Sequence, residues 1–540
     1  MLKSSLLPLS RQARRPVTSV VSCLPVRSFN GFHSSRRNKQ KESRGPNDDE
    51  TTTVAGGILL SLLGYSTSED RNDSHYATRK QMQLAVEEIR QALGEDAVSI
   101  EDEILHSHGY SDWSTINIDT LPVAVTFPTS TEEVATIARI CHKRRVPMIP
   151  YSGGSSVEGH FSAPFGGVSV DFVNMNQVLQ VYADDLNVVV QPSVPWMDLN
   201  EQIKDTGLFF PIDPGPSAQI GGMIGTNCSG TNAVKYGTMK DWVVNLTVVL
   251  SDGTVLKTRR RPRKSSAGYN LNSIFVGSEG TLGFVTEATL KLAPIPEHTG
   301  IAVVTFPTVK AAASMAIEVI RQGVPISAVE ILDEVLMSVI NRMGATSRDW
   351  SQVPTLFFKF SGSDAVVKDS ITRVQGIAKN YKVKSFLFES DPDKQKALWS
   401  ARKEALWSMM ALRQTDGHVW STDVAVPLSR VSELIDISKK DLVELGIFGS
   451  ILGHIGDGNF HETILFEEKQ RDEVEKCVDK MVFRALEMDG TCTGEHGIGL
   501  GKKDFLREEV DEAPIQVMRA IKTSLDPHWL MNPGKIFDRK

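Results

Sequence analysis

Cysteine is scarce. The 540 residues hold five, Cys23, Cys141, Cys228, Cys477 and Cys492, and no two form a CxxC pair. That excludes a disulfide framework or a zinc ribbon and fits reduced, mostly buried thiols. Long apolar runs are also missing. Residues 54–65 form an apolar stretch of 12 with three glycines, short of the roughly 20 that a spanning helix needs. This stretch reads either as a sorting or membrane-association segment or as a leader remnant. Neither a Walker loop nor a G-x-G-x-x-G fingerprint is present, so no motif supports ATP or a nicotinamide dinucleotide.

Acidic residues are nearly absent from one region only. Residues 1–45 hold ten Lys or Arg and a single acid, Glu42, among many serines. This is the pattern of a mitochondrial presequence, without the apolar core of a secretory signal. The segment contributes +9 to a chain of formal charge −7, which leaves −16 for residues 46–540. Such an acidic body argues against nucleic acid as a partner.

With 41% hydrophobic and 23% charged residues, the remainder has globular composition and too much length for a single core. Helical periodicity marks residues 80–95. A β-rich run at 123–127 then leads through Thr129 and Ser130 into a helix that reaches Arg145, and a strand follows at 146–150. Further strands are expected at 168–172, 178–182, 187–191, 243–250 and 284–292. Pro294 and Pro296 mark a boundary, and a second α+β region opens with a strand at 302–306 and a helix at 311–321. An amphipathic helix at 513–525 precedes the ending Asn532-Pro-Gly-Lys-Ile-Phe537. The expected organisation is a presequence (1–45), a linker (46–79), a first domain (80–297), a second domain (298–505) and a C-terminal segment (506–540) returning to the first.

Directly after the strand at 146–150 comes Pro150-Tyr-Ser-Gly-Gly-Ser-Ser-Val-Glu-Gly-His160. Adjacent glycines let successive N–H groups converge on an anion, and serine hydroxyls add donors. Alone, the loop reads equally well as a tight turn or a pyrophosphate cradle. Three companions follow in order: Pro211-Ile-Asp-Pro-Gly215, Ile220-Gly-Gly-Met-Ile-Gly-Thr-Asn-Cys-Ser-Gly230 and Val276-Gly-Ser-Glu-Gly-Thr-Leu-Gly283. With these four motifs the chain resembles the FAD-binding domain of the vanillyl-alcohol oxidase superfamily. The resemblance implies an α+β fold in which two subdomains hold an extended FAD under an α+β substrate-binding cap. It implies that Ser152, Gly153, Gly154, Ser155 and Ser156, entered through Pro150 and closed by Gly159 and His160, wrap the diphosphate. Pro214, Gly215, Gly221, Gly222, Thr226, Asn227 and Gly230 would line the cofactor. Gly277, Glu279, Gly280 and Val285 would approach the ribose and adenine, and Asn532 would join from the C-terminus. The nearest patterns carry free FAD, so non-covalent binding is expected despite His160.

A second cluster lies in Gly453-His-Ile-Gly-Asp-Gly-Asn-Phe-His461, between two β-type runs. If Asp457-Gly458 centres a two-residue hairpin turn, His454 stands opposite His461, with Cβ atoms roughly 5 Å apart. The loop Thr491-Cys-Thr-Gly-Glu-His-Gly-Ile-Gly499 supplies Glu495 and His496. Two imidazoles and one carboxylate suit a catalytic divalent metal, Zn²⁺ or Mn²⁺. Cys492 reads as a buried spectator.

These loops resemble the D-lactate and D-2-hydroxyglutarate dehydrogenase branch of the superfamily. The resemblance implies that His454, His461 and Glu495 are metal ligands, that His496 is the active-site base, and that Arg402, in Trp399-Ser-Ala-Arg402, binds the carboxylate of a small 2-hydroxy acid. Relatives acting on the dicarboxylate carry a Lys where Ser421 stands, two residues before Asp423. Its absence favours a monocarboxylate such as D-lactate, although Arg430 or an unaligned cation is able to compensate. D-2-Hydroxyglutarate or glycolate is the alternative substrate, and an electron-relay subunit without chemistry is the alternative class. Electrons are expected to pass to cytochrome c or another one-electron acceptor, with mitochondrial location and possible inner-membrane association. The basic run Arg259-Arg-Arg-Pro-Arg-Lys264 reads as a solvated loop or a docking element.

Overall fold

The computed structural model describes residues 75–414 and 417–539. The presequence and the apolar stretch 54–65 lie outside them. Thr78 caps the first helix, Arg79–Leu93, through a reciprocal box with Gln81, and Gly94 at φ +103° ends it. Met82, Ala85, Val86 and Ile89 recur at helical spacing and pack in one core with the helix Thr131–Arg144, which Ser130 caps. The same core takes in a four-stranded sheet ordered Val98–Ser99, Ala124–Thr126, Val168–Asp171, Met148–Tyr151, whose last three strands are parallel. Leu530 and Met531 join it from the C-terminus, and Met531 bridges to Met148.

A second sheet is antiparallel, ordered Val178–Tyr182, Asn187–Val190, Phe284–Lys291, Val243–Val249, Val255–Lys257. Its alternate residues Val188, Val190, Leu246, Val248, Ala288 and Leu290 share a core with the helices Trp196–Ile203 and Ile220–Thr226. The last of these occupies the third of the four motifs.

The third sheet has eight antiparallel strands. Ser385–Glu389, His298–Thr305, Thr355–Gly362, Ala328–Leu332, Phe448–Gly453, Asn459–Phe466 and His418–Ser421 follow one another, and Val424–Ala425 also pairs with Asn459–Phe466. Both faces are covered, so its strands are apolar on both sides. Ala302, Val304, Phe358 and Phe360 face the core shared with helices Val309–Arg321, Asp364–Ala378, Leu428–Glu444 and Arg471–Glu487. Ile301, Val303 and Phe357 face the core of Glu334–Met343 and Pro392–Met410. The expected strand at 302–306 begins earlier, at His298, because backbone pairing with Gly362 extends the ladder through exposed residues beyond the apolar run. No helix among the described residues is long and apolar enough to cross a membrane.

Candidate active site

The strand Met148–Tyr151 delivers the chain into the first glycine-rich loop. Among the described residues, no backbone N–H from Gly153 to Glu158 has an intramolecular acceptor. This run of donors is what a diphosphate cradle needs. Gly215 and Gly222 have nothing within 4 Å of where a Cβ would stand, so both border open space suited to an extended cofactor. The four motifs also meet, Gly230 lying so close to Asp213 that a Cβ would stand 2.4 Å from its carbonyl oxygen. The Ser152 hydroxyl donates to Gln219 at 2.6 Å, and the Gly277 N–H reaches Ile224 O at 2.9 Å. Gly280, at φ +70°, lies so close to Pro150 that a Cβ would stand 2.2 Å from its ring. These residues fit an FAD.

Several of the expected cofactor residues also tie the loops to one another. The Glu279 carboxylate accepts the Ile498 and Gly499 N–H groups, both at 2.7 Å, and lies 3.1 Å from His160 Nε2. Burial raises its pKa, but His160 and the two N–H groups outweigh this and hold it below the usual value. Glu279 therefore clamps the His496 loop to the cradle. The Asn532 amide donates to the carbonyls of His160 (3.0 Å) and Glu279 (2.8 Å), and Asn227 Oδ1 accepts from Thr238 and Lys240. Val285 pairs with Val248 in the second sheet. Glu279 and Asn532 are buried polar groups that must find partners, and these loops supply them.

The expected hairpin geometry requires correction. The turn spans residues 455–458, and Leu452, not His454, stands opposite His461. Asn459 is drawn into the ladder by pairing with Ala425 and by hydrogen bonds to Asp423 and Val424, which shifts the register by two. Side chains alternate with period two, so the expected face survives. The rings of His454 and His461 still lie with centroids 5.5 Å apart.

His454 Nε2 is 3.2 Å and His461 Nε2 is 3.4 Å from Glu495 Oε1. The ligand atoms of this trio all lie within 4.8 Å of one another. Each imidazole is fixed from behind. His461 Nδ1 meets the Thr422 carbonyl at 2.8 Å, and His454 Nδ1 meets Glu330 Oε1 at 2.8 Å. Both partners only accept, so each Nδ1 carries a hydrogen, and in the neutral ring the lone pair stands at Nε2, the atom that would face a metal. The donor set, with Ser229 holding Glu495 Oε2 at 2.7 Å, fits a divalent metal. Burial favours neutral forms, yet the pair's attraction wins: Glu330 and Glu495 hold His454 well above its usual pKa, and His454 and His461 hold Glu495 well below.

Asp423, His461 and His496 form a second convergent group, but Asp423 is already engaged. It accepts from Asn459 (2.9 Å), Thr493 (2.8 Å) and the N–H groups of Glu495 (3.0 Å) and His496 (2.9 Å). It sets the backbone that presents Glu495 and His496. The His496 ring stacks on His461 with centroids 5.2 Å apart. Burial, outweighing Asp423, pushes its pKa down to about 4. It is neutral at pH 7, and its Nδ1 has no partner.

Arg402, on the helix Pro392–Met410, donates through Nε to Glu330 Oε2 at 2.7 Å. Glu330 thus joins Arg402 to His454. Sequence reasoning missed it, although one acid in the apolar strand Ala-Val-Glu-Ile-Leu was a usable signal. Ser421 ends the strand His418–Ser421. Arg430 is exposed and pairs with Glu433 at 3.2 Å, so it does not compensate for the absent lysine. Lys359 lies on the same sheet face as Glu330. Its Nζ lies 4.1 Å from the Trp399 ring centre, and it lines a cavity of about 460 Å³ with Asn232, Ser327, Ser361 and Gln395.

Residues 122–259 match the FAD binding domain family, and residues 295–536 match the C-terminal domain of FAD linked oxidases. A mitochondrial D-lactate dehydrogenase (cytochrome) of Kluyveromyces lactis is 45% identical over 88% of this chain and 85% of its own. Mitochondrial D-lactate dehydrogenase (cytochrome) 1 of Saccharomyces cerevisiae is 46% identical over 84% and 79%. Among solved structures, a 4-ethylphenol oxidase from Gulosibacter chungangensis aligns with a TM-score of 0.70 at 17% identity, covering 86% of this chain and 98% of that one. The fold is accordingly of the vanillyl-alcohol oxidase type, and the chain belongs to the family of FAD-dependent D-2-hydroxy-acid dehydrogenases that includes the mitochondrial D-lactate dehydrogenases of the cytochrome type.

Proposed function

We propose that the protein oxidises D-lactate to pyruvate in the mitochondrion and passes the electrons to a cytochrome. The observation that carries the chemistry is the convergence of His454, His461 and Glu495, each imidazole fixed from behind, beside His496 and Arg402. When bound, FAD supplies a two-electron acceptor and the metal a Lewis acid at the hydroxyl. Arg402 turns its remaining guanidinium N–H groups to the substrate carboxylate. His496, neutral and desolvated, accepts the hydroxyl proton. The C2 hydrogen leaves with the bonding electron pair, and the product is the 2-oxo acid. Asp423 and Glu279 position the His496 loop, and Glu330 orients His454 and Arg402 together.

The names of the relatives support D-lactate, the cytochrome acceptor and the mitochondrial location. The basic segment 1–45 and the −16 charge of residues 46–540 agree with import and with steering a basic carrier. A dicarboxylate is the second reading, because Lys359 supplies a cation beside Glu330 and Trp399.

Anaerobic addition of D-lactate is expected to bleach the flavin, and chelation is expected to abolish this while FAD stays bound. Bleaching by no hydroxy acid would overturn the catalytic reading, and full activity after metal stripping would overturn the metal. Steady-state rates with D-lactate, D-2-hydroxyglutarate and glycolate separate the substrates. A preference for the dicarboxylate that Lys359→Met abolishes would establish the second reading.

A further inference from the structure

The catalytic reading leaves the basic run at 259–264 unused. Its base is a built structure. Thr258 Oγ1 donates to Asn272 at 2.6 Å, and Asn270 donates to Ser273 at 2.7 Å. Arg261 pairs with Asp185 and stacks 3.8 Å above the Tyr182 ring. Both Asp185 and Tyr182 belong to the far-edge region of the second sheet, so Arg261 straps the loop across the sheet's end.

Beyond that strap the tip is free. Every residue from 262 to 270 is exposed. Among the described residues, Arg259, Arg260, Arg263 and Lys264 have no carboxylate within ion-pair distance, and Arg259 meets only backbone carbonyls. Burial together with Arg263 and Arg259 pushes the Lys291 ammonium below the usual lysine range, so a second part of the chain sets a cation beside the cluster. Tyr269 stands 93% exposed beside Gly268. A large amphipathic ring held in water next to unpaired cations matches the chemistry of a membrane–water interface.

We propose that the loop 259–269 docks on an anionic phospholipid surface, with its cations at the headgroup phosphates and Tyr269 in the interfacial layer. Charge acts over only ~8 Å at physiological salt, so a flat anionic surface senses chiefly the exposed residues 262–270 and their immediate neighbours. A basic protein carrier would be repelled by the tip.

The experiment is sedimentation of the flavin-loaded full chain with vesicles of phosphatidylcholine, with and without phosphatidylglycerol, at low and physiological salt. Each basic residue near such a surface strengthens binding by about fivefold. The variant Arg259→Ser/Arg260→Ser/Arg263→Ser/Lys264→Ser, with the Arg261 strap kept, is therefore expected to bind anionic vesicles several hundredfold more weakly, on the order of the product of four such factors. Exchanging Lys and Arg at the same four positions should keep binding, Tyr269→Ser should weaken it, and pure phosphatidylcholine should capture neither protein. Residues outside the loop also carry charge, so the difference between wild type and variant is the readout. Reduction of the flavin by D-lactate in solution, expected to be unchanged in the serine variant, is measured separately and reports on folding and on the catalytic reading alone. Equal binding by wild type and serine variant overturns the proposal, as does equal capture by neutral vesicles. Release by inorganic phosphate at matched ionic strength would reveal a small-anion site instead, and retention of duplex DNA but not of vesicles would reveal a nucleic-acid surface; either result also overturns it.

Discussion

Glu330→Gln tests the wiring of the site more sharply than removal of a ligand. Glu330 is 1% exposed and accepts two hydrogen bonds, from His454 Nδ1 on Oε1 and from Arg402 Nε on Oε2. Glutamine has the same shape but only one accepting oxygen, so one donor must then face an NH₂ group. Leaving a buried donor unmatched costs about 1–3 kcal/mol. Two escapes exist, and each damages function. If the amide oxygen stays with Arg402, His454 changes tautomer to accept from the amide at Nδ1, and Nε2 becomes protonated where the metal needs its lone pair. If the oxygen stays with His454, Arg402 loses its anchor and the carboxylate site loosens. The expected result is metal affinity weakened by about 10–100-fold, or an equally large rise in KM for D-lactate, with FAD retained. Chelator competition followed by metal analysis measures the first, and steady-state kinetics the second. If metal affinity and KM both stayed within twofold of wild type, the reasoning that Glu330 orients both groups would be refuted.

His454→Ala is expected to lose the metal and turnover but keep the flavin, whereas His496→Ala should lose turnover with the metal retained; metal analysis beside the rate assay separates them. Burial raises Cys141 to about 12 and Cys477 to about 11, and raises Cys228 and Cys492 likewise. The thiolate fraction of Cys141 at pH 8 is then about one in ten thousand, against roughly a quarter for a free thiol. None of the four should react with iodoacetamide in the folded protein at pH 8, and peptide mapping that found prompt labelling would contradict this. Glu462, fully buried with Asp333 and Asp441 nearby, is raised to about 8. In the window from 4.5 to 8 the folded state holds a proton that the unfolded chain has released, so stability falls as pH rises, by at most about 5 kcal/mol in all. Glu462→Gln should abolish that slope in Tm, and an unchanged slope would sink the assignment.

Local pattern made much of the fold legible. The Thr78 and Ser130 caps, the period-two strands of the second sheet and the Pro294 to Pro296 break all depend on neighbours a few residues apart, and the elements lie within a few residues of expectation. The helix Ile220–Thr226 was read only as a glycine-rich stretch, because three glycines in seven residues mask helical propensity until Ile220, Met223 and Ile224 find a core. The hairpin register failed for a similar reason. Asp457-Gly458 is a good turn signal, but pairing of Asn459 with Ala425 outweighs local turn preference.

The sequence by itself determined which chemistry is present: four ordered glycine motifs, two histidines flanking one hairpin turn, and a remote Glu-His pair. Those are short-range facts, carried by residue type and separation. Only the tertiary structure decided how they are wired. Glu330 comes from a strand more than a hundred residues before His454, Asp423 fixes the backbone of Glu495 and His496, and Glu279 and Asn532 clamp loops that lie far apart in the chain. Buried polar groups must be paired, and which partner each finds depends on what the fold brings within hydrogen-bonding distance. No spacing in the chain records that.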